Sequence, residues 1–142
     1  MNDIHCRIEG CAGRVTLNRP QALNALTHDM CLALEAALLD WRDDPAVCHV
    51  VMVGAGVRAF CAGGDITRLY QAGLDGDAEY VRRFWRDEYR LNALIHAYPK
   101  PYIAIMHGFV MGGGVGIAAH GSHRIVTDST RLESPHWGVG LV

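Results

Sequence analysis

The chain has 142 residues, half of them hydrophobic, and a formal net charge of −2 at pH 7. This length and composition predict a single globular domain, and the scattered basic residues give no reason to expect a nucleic-acid partner. No apolar run approaches the ~20 residues of a membrane-spanning helix, so we expect no membrane partner. The N-terminus lacks an export signal, and the five cysteines form an odd set without a C-x-x-C pair, which predicts reduced thiols, no metal site and a cytoplasmic location.

The first half of the chain predicts a hairpin, a helix and a buried strand. Residues 4–8 and 14–17 flank a turn-rich gap, which predicts an antiparallel hairpin. After Thr27, a candidate N-cap, apolar residues recur at helical spacing, and Pro45 marks the end of that helix. Residues 47–53 lack polar alternation over most of their length, which indicates a parallel strand covered on both faces. This order of elements predicts an α/β fold.

The second half predicts two helices, a strand and a third, glycine-rich helix. These elements are expected at residues 66–72, 78–98, 102–106 and 113–119, followed by short strands at 124–127 and 131–132. In the long helix the apolar residues, including Trp85, lie on one broad stripe that should face the core. The charged residues opposite are expected to be solvated: Arg82, Arg83, Arg86 and Asp87.

Two glycine-rich stretches carry most of the functional information. Residues 59–65 and 107–116 each follow a short strand-like run, and each leads into a helix. Backbone N–H groups at a helix N-terminus have no partner inside the helix and can bind an anionic or carbonyl oxygen. Either stretch alone is equally well explained as a tight strand-to-helix turn. The pair, in the same context, predicts an oxyanion hole.

Three motifs, in this order and spacing, resemble those of the crotonase (enoyl-CoA hydratase/isomerase) superfamily along the whole chain. They are Asn18-Arg19-Pro20 with residues 22–26, then residues 59–65, then the strand leading into Gly112-Gly113-Gly114. The resemblance implies an α/β fold with a β-β-α spiral core, incomplete here at the C-terminus. It implies one acyl-CoA-binding domain, residues 1–142, with coenzyme A entering as part of the substrate rather than as a cofactor. Because apolar faces would stay uncovered, we expect homo-oligomers or aggregates.

The resemblance also implies which residues touch the substrate. Gly64 and Gly113 would donate their backbone N–H groups to the thioester oxygen. The adenine and pantetheine of coenzyme A would lie along two segments, mainly against main-chain atoms: Ala22, Leu23 and Ala25, and Ala62, Gly63, Asp65 and Ile66. Asp65 is also well placed as the N-cap of the helix that begins at Ile66.

Further motifs look most like those of the 3-hydroxyisobutyryl-CoA hydrolases, the thioesterases of valine breakdown within this superfamily. They lie at residues 88–92, 98–102, 111–116 and 119–124. Hydratases of the superfamily carry a catalytic glutamate where this chain has Gly116, so a hydratase or isomerase is the less favoured function. Hydrolysis of an acyl-CoA thioester is the reaction that the resemblance implies.

The stretch near the C-terminus departs from the hydrolase pattern. His136 holds the position of the pattern's catalytic glutamate, and the second catalytic carboxylate would fall beyond Val142. A neutral imidazole can accept a proton from water at neutral pH, so His136 is a candidate catalytic base. Two interpretations stay open: a thioester hydrolase, and a CoA-binding remnant whose activity is impaired or lost.

The other histidines and Cys61 are more simply structural. His107 is expected to be a strand-end residue, and His120 and His123 lack a third ligand for a metal ion. Cys61 lies inside the first glycine-rich stretch, but no histidine is placed by the sequence to activate it, so we expect a buried packing residue.

Overall fold

The computed structural model describes residues 2–133, which form two β-sheets and four α-helices. In chain order the elements are β1 (Ile4–Glu9), β2 (Ala12–Leu17), α1 (His28–Arg42), β3 (His49–Gly54), β4 (Ala59–Cys61), α2 (Ile66–Leu74), α3 (Ala78–His96), β5 (Tyr102–Met106), β6 (Phe109–Met111), α4 (Gly113–Ala119), β7 (His123–Val126) and β8 (Arg131–Glu133). No helix in this part of the chain is long and apolar enough to span a membrane.

The two sheets share a repeating connection. The larger sheet has the strand order β1-β2-β3-β5-β7, in which β1 and β2 form the predicted antiparallel hairpin and the other pairs are parallel. The smaller sheet, β4-β6-β8, is parallel throughout. After β3, β5 and β7 the chain crosses by a short turn into the smaller sheet, and a helix follows β4 and β6. The predicted β-β-α architecture is confirmed.

Helix α1 covers the larger sheet. Its N-terminus is capped as predicted, since the Thr27 side chain accepts a hydrogen bond from Met30 N at 3.1 Å. Its buried face recurs at helical spacing and consists of Met30, Cys31, Leu34, Leu38 and Trp41. Burying a large apolar side chain of this kind contributes about 1.5–3 kcal/mol relative to leaving it exposed. The amphipathic pattern therefore determines which face of α1 packs against the larger sheet.

Helix α3 differs from its sequence-based prediction. It packs against α1, α2 and α4, and it buries Phe84, Leu91 and Ile95 together with Asp87 and Glu88. The prediction that Asp87 is solvated was wrong: it is 5% exposed, and its carboxylate lies 2.6 Å from His28 Nε2 on α1. Trp85, predicted to face the core, is 44% exposed. Because α1, α2 and α4 pack around α3, they bury a wider part of its surface than the apolar stripe alone. Ionic partners allow the Asp87 carboxylate to lie within this buried surface.

Candidate active site

The two glycine-rich loops meet at the ends of neighbouring strands. Strands β4 and β6 are parallel partners, so Gly63 and Gly64 after β4 lie beside Gly112 and Gly113 after β6. A Cβ atom built on Gly63 would lie 3.4 Å from Gly113 N, and one built on Gly113 would lie 3.5 Å from Gly64 N. The two predicted donor nitrogens therefore border the same small space.

Both amides are available to an outside acceptor. Within residues 2–133, neither Gly64 N nor Gly113 N donates a hydrogen bond to another protein group. Gly113 is the first residue of α4, where a helical N–H has no partner within the helix. At Gly64 the flanking groups are used instead, since Leu26 N donates to Gly63 O and Asp65 N donates to Leu26 O.

Glycine is required here by backbone conformation and by close packing. Gly63 has φ +105° and Gly112 has φ +51°, a region that side chains disfavour. At Gly114 a Cβ would overlap the backbone carbonyl of Cys61, which belongs to β4. The absence of side chains at these positions allows α4 to pack directly against β4 and brings the two loops together.

Glu88 is the functional candidate that the sequence-based reasoning missed. It is 5% exposed, and a Cβ on Gly113 would lie 2.5 Å from its Oε1. Its Oε2 is buried and has no hydrogen-bond partner in the described part of the chain, and burial raises the pKa of this carboxyl. A buried carboxyl without a hydrogen-bond partner lowers the stability of the fold. Its position beside the two amides therefore makes Glu88 a candidate for contacting a bound molecule. Its sequence signal is its spacing: it lies four residues after Phe84 and three before Leu91, within the apolar stripe.

Ionic contacts between α1 and α3 hold Glu88 at this place. Next to it, Asp87 pairs with His28, and this hydrogen bond holds the pKa of Asp87 below its usual range. Arg90 makes two hydrogen bonds to Glu35 of α1, at 2.7 and 2.9 Å. Contacts on both sides of Glu88 therefore fix the rotation of α3 and direct the carboxyl toward α4.

Gly116 faces α3 one turn further along. A Cβ on Gly116 would lie 3.0 Å from Asn92 Nδ2 and 3.1 Å from Asn92 Oδ1. The space in which a side chain at position 116 would begin is thus occupied by Asn92. A carboxylate at this position would require Asn92 to move.

The two predicted CoA-binding segments lie side by side. Ala62 N donates to Leu23 O at 3.0 Å, which ties the segment of residues 22–25 to the first glycine-rich loop, residues 59–65. Ile66, at the start of α2, is 74% exposed. Asp65 has its side chain engaged within the protein, since it caps α2 through Arg68 N and pairs with Arg19 at 3.0 Å. Its alternative interpretation as an N-cap is confirmed.

Asn24 fixes the shape of the first predicted CoA-binding segment, residues 22–25. It is fully buried with a left-handed φ of 56°, and Leu23 before it has φ 53°. Its Oδ1 accepts a hydrogen bond from Arg19 N at 2.8 Å, and its Nδ2 donates to Ala55 O and Ala59 O at 3.0 and 2.9 Å. One side chain thereby connects residues 19–25 with the turn that leads into β4.

Replacing Asn24 with alanine is expected to lower the free energy of unfolding by about 2–4 kcal/mol, because three backbone groups, one buried and two partly buried, lose their partner. Urea denaturation measures the effect. The matched control is Asn18→Ala, which removes an exposed hydrogen bond to Asn2 O and should cost under ~1 kcal/mol. Equal losses in the two variants would contradict the role assigned to Asn24.

The remaining candidates lie apart from the two loops or inside the core. Cys61 is fully buried, and burial raises the pKa of its thiol to about 12, so its interpretation as a packing residue is confirmed. In residues 2–133 no group of three or more histidine, cysteine, aspartate or glutamate side chains could hold a metal ion. His136 lies outside the described residues, and its role as a base stays a prediction.

A family model described as enoyl-CoA hydratase/isomerase matches residues 12–142. The chain belongs to this family. The resemblance inferred from the glycine-rich motifs is therefore confirmed, and both paired loops lie within the matched residues.

Individual curated relatives are similar to this chain over nearly its whole length. Mitochondrial 3-hydroxyisobutyryl-CoA hydrolase from Xenopus tropicalis is 46% identical over 132 residues, covering 93% of this chain and 34% of the relative. The human protein of that name is 41% identical over 133 residues, covering 94% of this chain and 34% of the relative. The chain spans about a third of the length of these curated relatives. Both are named as mitochondrial, so the cytoplasmic location stays a prediction.

Solved structures of the family share the fold closely. An enoyl-CoA hydratase from Rhodobacter sphaeroides has 49% identity and a TM-score of 0.91, covering 94% of this chain and 40% of that one. A carnitinyl-CoA dehydratase from Mycobacterium thermoresistibile has 49% identity and a TM-score of 0.93, covering 99% of this chain and 41% of that one. Proteins named for different reactions thus share this backbone, so the reaction must be argued from the side chains.

Proposed function

We propose that this chain forms the acyl-CoA-binding part of a thioester hydrolase that acts on a short 3-hydroxyacyl-CoA such as 3-hydroxyisobutyryl-CoA. The observation that carries the proposal is the meeting of Gly64 N and Gly113 N beside the buried Glu88 carboxyl. The identity of 40–46% to proteins named 3-hydroxyisobutyryl-CoA hydrolase supports the choice of substrate. Coenzyme A enters as part of the substrate and leaves as a thiol.

The two amides supply the electrostatic part of the reaction. Attack of water on a thioester carbonyl produces a tetrahedral intermediate whose oxygen carries negative charge. Donors fixed at that point stabilise the charge, and one such donor is worth about 3–4 kcal/mol of barrier. Neither Gly64 N nor Gly113 N has a partner within residues 2–133, so binding the oxyanion breaks no hydrogen bond described there.

Glu88 supplies specificity for a hydroxylated acyl group. With the thioester oxygen on the two amides, the acyl chain lies near Gly113, which the Oε1 of Glu88 faces. The hydroxyl of a 3-hydroxyacyl group would donate to this oxygen. An acyl group without that hydroxyl would leave the carboxyl unpaired, and a buried group left unpaired costs about 1–3 kcal/mol.

His136 decides between this function and a second candidate. In its neutral form the imidazole can accept a proton from the attacking water, but it cannot form the acyl anhydride that a carboxylate nucleophile forms. The second candidate is a chain that binds acyl-CoA without turnover. It is favoured by the same observation, a histidine where the hydrolase pattern has glutamate.

Three proteins compared side by side separate the two functions: the wild-type chain, His136→Gln and His136→Glu. Release of coenzyme A is followed with a thiol reagent, and binding of the thioester is measured by calorimetry. If His136 is the base, His136→Gln should lower turnover by about 100-fold.

The second candidate predicts a different result. Wild type would bind the thioester without releasing coenzyme A, and His136→Glu would gain turnover. Folded protein that neither binds nor cleaves the thioester would contradict both functions.

A further inference from the structure

Two exposed cysteines meet at the end of the larger sheet opposite the candidate active site. Cys11 lies in the turn before β2, and Cys48 immediately precedes β3. Strands β2 and β3 are parallel partners in which Ala12 pairs with His49, so the two cysteines occupy the preceding register position. Cys48 N donates to Cys11 O at 2.7 Å, which continues the ladder to this pair.

The backbone at this position meets the geometric requirement of a disulfide. Neighbouring strands lie about 4.8 Å apart, and disulfides join Cα atoms separated by roughly 4.4–6.8 Å. The neighbouring Cys11 side chain is also the largest cause that raises the pKa of the Cys48 thiol. Both lie just outside regular strand structure, where the backbone can adjust to the cross-link.

The other three cysteines lack this arrangement. Cys31 and Cys61 are buried, and burial raises the pKa of each thiol to about 12, which suppresses the reactive thiolate. Cys6 is exposed, but it lies within β1 opposite Val15. In the described structure Cys11 and Cys48 are therefore the pair placed for oxidation.

We propose that Cys11 and Cys48 form a reversible disulfide when the chain meets an oxidised small-molecule disulfide such as oxidised glutathione. In the first step Cys11 loses its proton and attacks as the thiolate. It breaks the S–S bond of the oxidant, releases one reduced glutathione and leaves a mixed disulfide on Cys11. Cys48 then loses its proton, attacks that Cys11 sulfur and releases the second glutathione. The protein loses two electrons and two protons, and the oxidant gains both.

The bond would fasten the hairpin turn to the start of β3. It closes a loop that contains β2 and α1, near the point where Lys100 Nζ binds Asp44 O at 2.6 Å. The chain reaches the oxyanion loop from the other end of β3, at Gly54. The cross-link therefore stabilises the fold without changing the site, and a loop of about 40 residues predicts a rise in Tm of roughly 10 °C.

The test incubates the native chain with oxidised glutathione, blocks the remaining thiols with an alkylating reagent and maps the peptides by mass spectrometry. A Cys11–Cys48 cross-linked peptide is expected, together with a higher Tm that dithiothreitol reverses. Cys11→Ser should abolish both effects, whereas Cys6→Ser, the matched change of an exposed thiol, should keep both.

The same oxidation in a denaturant shows whether the fold selects the pair. Unfolded protein should yield mixed pairings, and native protein should yield the single one. Native protein that carries glutathione on Cys11 and Cys48 separately, pairs either with Cys6, or forms only intermolecular disulfides would overturn the proposal.

Discussion

Gly113→Ala is expected to lower kcat/KM for thioester hydrolysis by about 10²–10³-fold, the effect of losing one oxyanion donor. The added Cβ would lie 3.5 Å from Gly64 N, in the space that the carbonyl oxygen must enter. It would also lie 2.5 Å from Glu88 Oε1, and this contact can be relieved by movement of the carboxyl. The measurement uses whichever of the wild-type and His136→Glu proteins turns over faster.

Two other glycines are matched controls for this change. Gly73→Ala in α2 meets nothing within 4 Å and should leave both activity and stability close to wild type. Gly114→Ala would overlap the Cys61 carbonyl of β4, where no flexible side chain can yield, so it should destabilise the fold. If the Gly113→Ala protein has the Tm of wild type and retains full activity, this loop does not bind the oxyanion.

Glu88→Gln is expected to make the protein more stable at neutral pH and less active. Burial raises the folded-state pKa of Glu88, so its contribution to stability is fully present below about pH 4.3 and is lost as the pH rises through the folded-state value. Glutamine does not titrate. The variant should therefore exceed wild type in unfolding free energy at pH 7, and the difference should shrink toward pH 4, as measured by urea denaturation.

The activity of Glu88→Gln should depend on the acyl group. For a 3-hydroxyacyl-CoA, replacing the charged acceptor is expected to lower kcat/KM by about 10–100-fold. For the same acyl-CoA without the hydroxyl the loss should be small. The control is Glu79→Gln, an exposed position on the same helix. An equal loss with both substrates, or a stability difference that does not vary with pH, would contradict the role of Glu88.

Most of the secondary structure could be predicted because it follows from local patterns. Thr27 and the helical spacing that begins at Met30 determine the start and the buried face of α1. Strands β4 and β6 were not predicted, since each has three residues and lies inside a glycine-rich motif. Within such a motif the glycines mask the strand pattern, and three residues are too few for it to be recognised.

The sequence predicted the backbone donors, the two segments along coenzyme A and His136, but not the buried carboxyls of α3. The two loops could be found because each glycine-rich stretch precedes a helix, and the resemblance to the family implied Gly64 and Gly113 within them. Glu88 and Asp87 could not, because a charge on α3 is buried only if α1 and α4 pack around it. Their burial depends on contacts with residues that are distant in sequence, such as His28 and Gly113.

The central claim is that Gly64 N and Gly113 N bind one thioester oxygen. Isotope-edited infrared difference spectroscopy tests it directly, with carbon-13 at the thioester carbonyl and the His136→Gln protein to slow turnover. Two fixed donors should move the carbonyl band of the bound thioester to a lower wavenumber than in water, and Gly113→Ala should move it back. A bound band at or above its position in water would contradict the claim.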